Sequence, residues 1–344
     1  MKLPSLLQTI LILPVLGLFL AAPIRADVNS DLAFSAFSNV DVNSLAGGTV
    51  LQKSSGLLNF PRAITTQALY VLDAQPADVQ YKLVHWNPAS HPELMVWVHN
   101  SLPAKPTPTD FSGLASLPDN SSVKAVINAT AKLDPNNPSL QVDKNEAQVV
   151  ATMAAQQKDP KTLFANSWSQ ILSGRIDGFL NGRIGSQEYI ISGGNIQPLS
   201  EIRNLLHTDA KVYGQYQMLF NQTPFKSGSG TFKQLVPADL YYECFDIEGA
   251  AALGTGAVFQ APNGTSFQSA DFEYEINSGI YATVELEELW PVTVNGKTET
   301  LVWREDMVSA PNVAYLHGTE RLASGMIMLQ DVKQAVNAFR SEFK

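Results

Sequence analysis

"ERLASGMIMLQDVKQAVNAFRSEF", residues 320–343, closes the chain and decides how the rest is read. Leu322, Met326, Leu329, Val332, Val336, Phe339 and Phe343 recur three or four residues apart. That spacing predicts a long amphipathic helix with one apolar side. Such a side needs a surface to cover.

The preceding segments supply one. "KVYGQYQMLF" (211–220), "ADLYYECFDIEG" (238–249), "ALGTGAVFQA" (252–261), "SFQSADFEYEI" (266–276), "GIYATVELEELWPV" (279–292) and "TETLVWREDMV" (298–308) follow one another with turn residues between. Each reads as a strand, and short connections favour antiparallel pairing. Asn295-Gly296 favours a two-residue type I′ turn. That turn pairs Val294 with Lys297, Trp290 with Leu301, Glu288 with Trp303, Glu287 with Arg304 and Glu285 with Asp306. Glu285, Glu287, Arg304 and Asp306 then share one face. A solvated sheet face explains this cluster, with a Glu287–Arg304 pair contributing ~0.2–1 kcal/mol if exposed. A polar cluster in a cavity, serving acid/base chemistry or a cation, explains it too. Ile280, Ala282, Val284, Leu286, Trp303 and Met307 make the opposite face, the expected core or ligand side.

The earlier chain alternates. "AITTQALYVLD" (63–73) reads as a strand, "QPADVQYKLVHW" (75–86) as a helix with Pro76 in its first turn, and "ELMVWVHN" (93–100) as a strand. Helices are expected over 143–157, 159–176 and 198–207. The first opens with Asp143 and Glu146 at capping-box spacing. The predicted class is α+β: a curved antiparallel sheet covered by a long C-terminal helix, with a helical insertion at about 143–206.

By this element order, with "QPADVQYKLVHW" early and "MLQDVKQAVNAF" late, residues 60–344 resemble the START/Bet v 1-like, or helix-grip, superfamily. The resemblance implies a cavity between sheet and terminal helix that holds a hydrophobic ligand, and it carries over no individual residue. Trp97, Tyr241, Tyr281, Trp303, Met307 and Met326 are the candidate ligand-facing side chains. A well-packed core needs such residues too, and core is their commoner use.

"KLVHWNPASHPELMVWVH" (82–99) holds His85, His91 and His99. His99 lies roughly 20 Å along the strand beyond Glu93, so one small site cannot hold all three. Their spacing also matches no zinc signature. They read as structural, and no metal or cofactor is expected.

Lys2 followed by "LLQTILILPVLGLFLAA" reads as a secretory signal, with cleavage after Ala26 and Ala22 as the second choice. The remainder, 27–344, is expected to form a single domain without a transmembrane segment, secreted or periplasmic. Of 23 basic residues Lys2 and Arg25 leave with the signal, so 21 face 32 acidic ones, a net charge of -11. That excess argues against a nucleic-acid partner. The single cysteine, Cys244, cannot form an intrachain disulfide and reads as a buried thiol. Ser121-x-x-Lys124 with "KSG" at 226–228 resembles the serine acyl-transferases of the penicillin-binding class, but no S-x-N element lies between them. No residue is assigned as catalytic. The expected function is a binding protein for a lipid-like or other apolar molecule. The alternatives are a secreted hydrolase or other enzyme using the carboxylate/Arg or His cluster, and a structural or partner-binding envelope protein.

Overall fold

A computed structural model describes residues 28–54, 58–183, 188–191, 194–226 and 235–343. The signal reading and Ser227-Gly228 of the "KSG" triplet lie outside the described residues.

Two short helices, α1 (Val28–Asp31) and α2 (Val42–Ala46), precede strands β1 (Leu51–Ser54) and β2 (Ala63–Leu72). Helix α3 (Pro76–His85) and β3 (Val96–Ser101) follow. A long excursion then carries α4 (Ser121–Ala131), α5 (Lys144–Gln156), α6 (Pro160–Leu180), the small hairpin β4 (Tyr189–Ile191) and β5 (Gly194–Ile196), α7 (Pro198–Leu206) and α8 (Ala210–Phe220). Five strands return the chain to the sheet: β6 (Asp239–Ile247), β7 (Ala250–Asn263), β8 (Ser266–Tyr274), β9 (Ala282–Val294) and β10 (Lys297–Ser309). Helix α9 (Gly318–Ser341) closes it.

The fold is α+β. Eight strands form one open antiparallel sheet in the order β1-β2-β10-β9-β8-β7-β6-β3. The β9–β10 register is the predicted one, from Val294↔Lys297 through Glu287↔Arg304 to Glu285↔Asp306. Asn295 and Gly296 both take positive φ, 48° and 80°, as a type I′ turn requires.

Two expectations are corrected. Residues 211–220 are helical, not a strand. Asp209 caps α8 by accepting from the backbone N–H groups of Lys211 and Val212. Val212, Tyr216, Leu219 and Phe220 are buried at helical spacing. Aromatic content suggested a strand, but the cap and the period of the burial decide for the helix.

The second correction concerns which face α9 covers. Trp303 and Met307 belong to the main core, on the side packed by the excursion helices and the N-terminal segment. There Trp303 meets Phe34 edge-on at 4.7 Å and Tyr216 at 5.9 Å. Helix α9 lies on the other face. Val332, Val336 and Phe339 pack with Ala68, Tyr70, Leu72, Leu289 and Val302 in a smaller cluster. Each such apolar side chain contributes about 1.5–3 kcal/mol when fully buried. The predicted stripe is only partly used, since Leu322 and Met326 are exposed.

The histidine-rich stretch anchors this helix. Glu342 just beyond α9 pairs with Lys82 Nζ at 3.1 Å and with His91 Nε2 at 3.2 Å. The Trp86 and Phe339 rings meet edge-on at 5.4 Å. Among the described residues no helix is long and apolar enough to cross a membrane.

Candidate functional site

Alternation along each strand sends every second side chain toward α9. On β9 and β10 these are Glu285, Glu287, Arg304 and Asp306, and on β8 Asp271 and Glu273. On β6 they are Asp239, Tyr241 and Glu243, and His99 joins from β3. Between this floor and the helices lies a cavity of about 640 Å³. Its apolar wall comes from Leu83, Trp86, Ile327, Met328, Val332 and Phe339. Strand β7 deepens the floor with glycine. A Cβ on Gly256 would sit 2.0 Å from the Tyr241 ring, and one on Gly254 would sit 2.0 Å from Glu273 Oε1.

The predicted polar cluster is therefore not a solvated face. Glu287 is 3% exposed and Arg304 7%. The guanidinium of Arg304 donates to Asp306 through Nε at 2.9 Å and Nη2 at 2.5 Å, and it lies 2.6 Å from Glu285 Oε2. It binds these carboxylates rather than its cross-strand neighbour Glu287. One oxygen of Glu287, Oε1, has no hydrogen-bond partner, and neither has Oε1 of Glu273. A buried polar atom left in this state costs about 1–3 kcal/mol.

Beside β3 a second group forms. His99 Nδ1 lies 3.0 Å from Glu243 Oε2, and the His99 ring rests 4.6 Å from that of Tyr241. The Tyr241 hydroxyl donates to Asp271 Oδ1 at 2.9 Å. Ser101 donates to Asp239 at 3.0 Å.

Burial sets the electrostatics, because a low-dielectric site disfavours the charged carboxylate. It pushes Asp271 up to about 7, against the lowering effect of the Tyr241 hydrogen bond. It pushes Glu287 up to about 7 as well, opposed by Arg304. Burial also raises Glu273, Glu285 and Asp239, and Asp331 on the α9 side of the cavity. For His99 burial is the largest influence and lowers the pKa, but the hydrogen bond to Glu243 and the charges of Glu243, Asp271 and Asp239 together outweigh it, and the net shift is upward. The Cys244 thiol, fully buried, is pushed up by desolvation, the state of an inert thiol.

Of the candidate ligand-facing residues, Tyr241 alone turns its side chain into the cavity floor. Trp303 is buried on the excursion side. Met307 borders the cavity, but its sulfur meets Thr208 Oγ1 at 3.9 Å on that same far side. Trp97 packs half-buried against the main core. Tyr281 is covered by Arg62, whose guanidinium lies 5.8 Å above its ring. Met326 is 69% exposed. The three histidines stay apart. His85 holds the Tyr81 carbonyl at 2.7 Å and stacks on that ring, while His91 and His99 bind different carboxylates. Among the described residues no three His, Cys, Asp or Glu side chains converge as a metal-ligand set. Lys124 of the S-x-x-K pair is bound to Asp119 at 2.9 Å, and Asn120 caps α4 just before Ser121.

The sequence reading missed Asp239, Glu243, Asp271 and Glu273. The signal was present: "SADFEYE" alternates acidic with apolar residues, as the β9 segment does. Compared with known proteins, the chain matches no protein-family model and no curated relative.

Proposed function

We propose that this chain is an exported binding protein that holds a small molecule, apolar along much of its length, between the sheet and α9. The observation that carries this reading is the cavity of about 640 Å³, with carboxylates on one wall and Trp86, Met328, Val332 and Phe339 on the other. Its volume falls within the range of about 300–1,000 Å³ typical of small-molecule sites. The helix-grip resemblance supports the same reading, since α3 and α9 flank the cavity in the expected element order.

Native mass spectrometry of gently extracted protein tests it. Co-purifying small molecules, or saturable uptake of decan-1-ol by the emptied protein, are the expected result. Clean protein that takes up no apolar or amphipathic probe overturns it. A second reading rests on Asp271 and Glu287, two cavity carboxyl groups poised near neutrality in the range of a general acid or base. An enzyme built on them would lose turnover in Glu287→Gln while the variant stays folded.

A further inference from the structure

The wall of the cavity is thin at one place. Residues 87–95 carry the chain from α3 to β3 as two short 3-10 turns, Pro88–Ser90 and Pro92–Leu94. Pro88, Glu93, Leu94 and Met95 of this strap border the cavity, and Gln334, Ala335 and Phe339 of α9 border it beside them. Glu93 and Gln334 also border a groove of about 470 Å³ on the outer surface, together with the exposed Gln330, Lys333 and Asn337. The inner and outer spaces thus share two residues. The Gln334 side chain joins those two by donating through Nε2 to the Glu93 carbonyl. Met95 marks the same thin wall, since it borders the cavity and is 49% exposed.

The strap is lightly held. None of residues 87–95 is buried, and segments short of buried contacts open at the lowest cost. The backbone N–H groups of Ser90, His91, Leu94 and Met95 each donate three residues back, within the strap itself. Beyond the Gln334 contact, His91 ties it to the end of α9. His91 Nε2 lies 3.2 Å from Glu342 Oε1, and Nδ1 lies 3.5 Å from Glu93 Oε1. Partly exposed pairs of this kind are weak, which suits a latch.

One end of the strap has the character of a hinge. Met95 takes φ 55°, the left-handed region that few residues other than glycine adopt. Its carbonyl accepts from the Asp246 N–H at 3.0 Å, so the chain is pinned to the sheet edge where β3 begins. Loop ends absorb the backbone change when a lid swings.

Resting on the binding-protein reading, we infer that this strap is the gate of the cavity. The ligand passes between residues 87–95 and α9, through the gap that opens when Gln334 releases the Glu93 carbonyl and His91 releases Glu342. The outer groove is the approach to that gap. A latch made in both the empty and the filled protein changes entry and exit by one factor and leaves affinity alone.

Stopped-flow uptake of N-phenyl-1-naphthylamine by the chain from residue 27 to 344 tests this. The dye is uncharged and brightens in apolar surroundings, and its displacement by decan-1-ol marks the fraction held in the cavity. In Glu93→Cys/Gln334→Cys the two new thiols are joined by a short, reducible bis-methanethiosulfonate linker, while Cys244 is buried and stays unmodified. Uptake is expected to slow roughly tenfold or more on linking and to recover when the linker is reduced. His91 does not border the cavity. His91→Ala should therefore raise entry and exit together, by about two- to fivefold, at an unchanged dissociation constant. Linked protein that loads as fast as its reduced form overturns the gate and leaves the binding-protein reading standing. So does a His91→Ala variant whose rates match the parent or whose exit alone quickens. Parent protein that takes up neither the dye nor decan-1-ol overturns both.

Discussion

Glu287 and Glu288 are consecutive residues of β9, both buried, and the sheet sends them to opposite faces. Glu288 enters the side covered by the excursion helices. There it accepts from Gln215, Asn263, Ser266 and Gln268 at distances between 2.7 and 3.2 Å. Glu287 enters the α9 side, borders the cavity, and keeps one buried oxygen, Oε1, without a donor. One peptide unit separates a satisfied core carboxylate from an unsatisfied one. The contrast belongs to this pair and not to the whole of each face, since Glu305 Oε2 and the Tyr216 and Tyr274 hydroxyls on the core side also lack partners.

The sharpest way to break that comparison is to truncate both residues. Glu288→Ala leaves four donors without their acceptor, each stranded donor costing about 1–3 kcal/mol. Partial relaxation brings the expected loss to about 3–5 kcal/mol in urea unfolding. Glu287→Ala removes a group with little to lose and is expected within about 1 kcal/mol of the parent. Equal losses would erase the distinction between the two residues.

A smaller contrast lies on β7. Gly256→Ala places a Cβ against the Tyr241 ring on the cavity side, a clash expected to cost about 1–3 kcal/mol. Ala257→Gly, one residue on and facing the main core, should cost about 0.5–1 kcal/mol. Thermal denaturation of the two variants ranks them.

The pH dependence follows from burial. Asp271 and Glu287 are raised to about 7, and Glu305, on the core side beside Gln67, to about 8. Each folded pKa exceeds the unfolded value, so the folded state holds the extra protons. That stabilisation is complete below about pH 4 and is lost as pH rises through 7 to 8. His99, also raised, acts in the same direction. The melting temperature is expected to fall between pH 5 and pH 8. Glu287→Gln and Glu305→Gln should each flatten the slope. A melting temperature that rises over this range would contradict the burial of these groups.

The smallest effect belongs to the clamp on α9. His91→Ala removes one partly exposed ion-pair partner of Glu342 while Lys82 remains, so the expected loss is under about 1 kcal/mol. Hydrogen exchange limited to the last turns of α9 would report it.

Much of this was legible before any coordinates. The Asn295-Gly296 turn fixes the register of β9 and β10, and from it the shared face of Glu285, Glu287, Arg304 and Asp306. Strand β2, helices α3, α5, α6, α7 and α9, and the late strands also follow from local pattern. Helix α8 did not, because Tyr213, Tyr216 and Phe220 read equally well as strand residues until the Asp209 cap is weighed. Strand β1 is only four residues long and half-exposed, so it leaves almost no periodic signal. The acidic floor beyond β9 and β10 was missed for another reason. Glu243, Asp271 and Glu273 lie on separate strands, and nothing local says that those strands turn the same faces toward one cavity.

The sequence by itself determined most of the elements and the strand alternation, because backbone period, caps and turns act over a few residues. Which face each helix covers was decided by the tertiary structure alone. Both faces of β9 and β10 carry apolar and acidic residues, so hydrophobic pattern cannot choose between them. The choice falls to the excursion helices, whose Gln215 and aromatic side chains pack against the Trp303 side. That leaves α9 to span the carboxylates with a cavity beneath it.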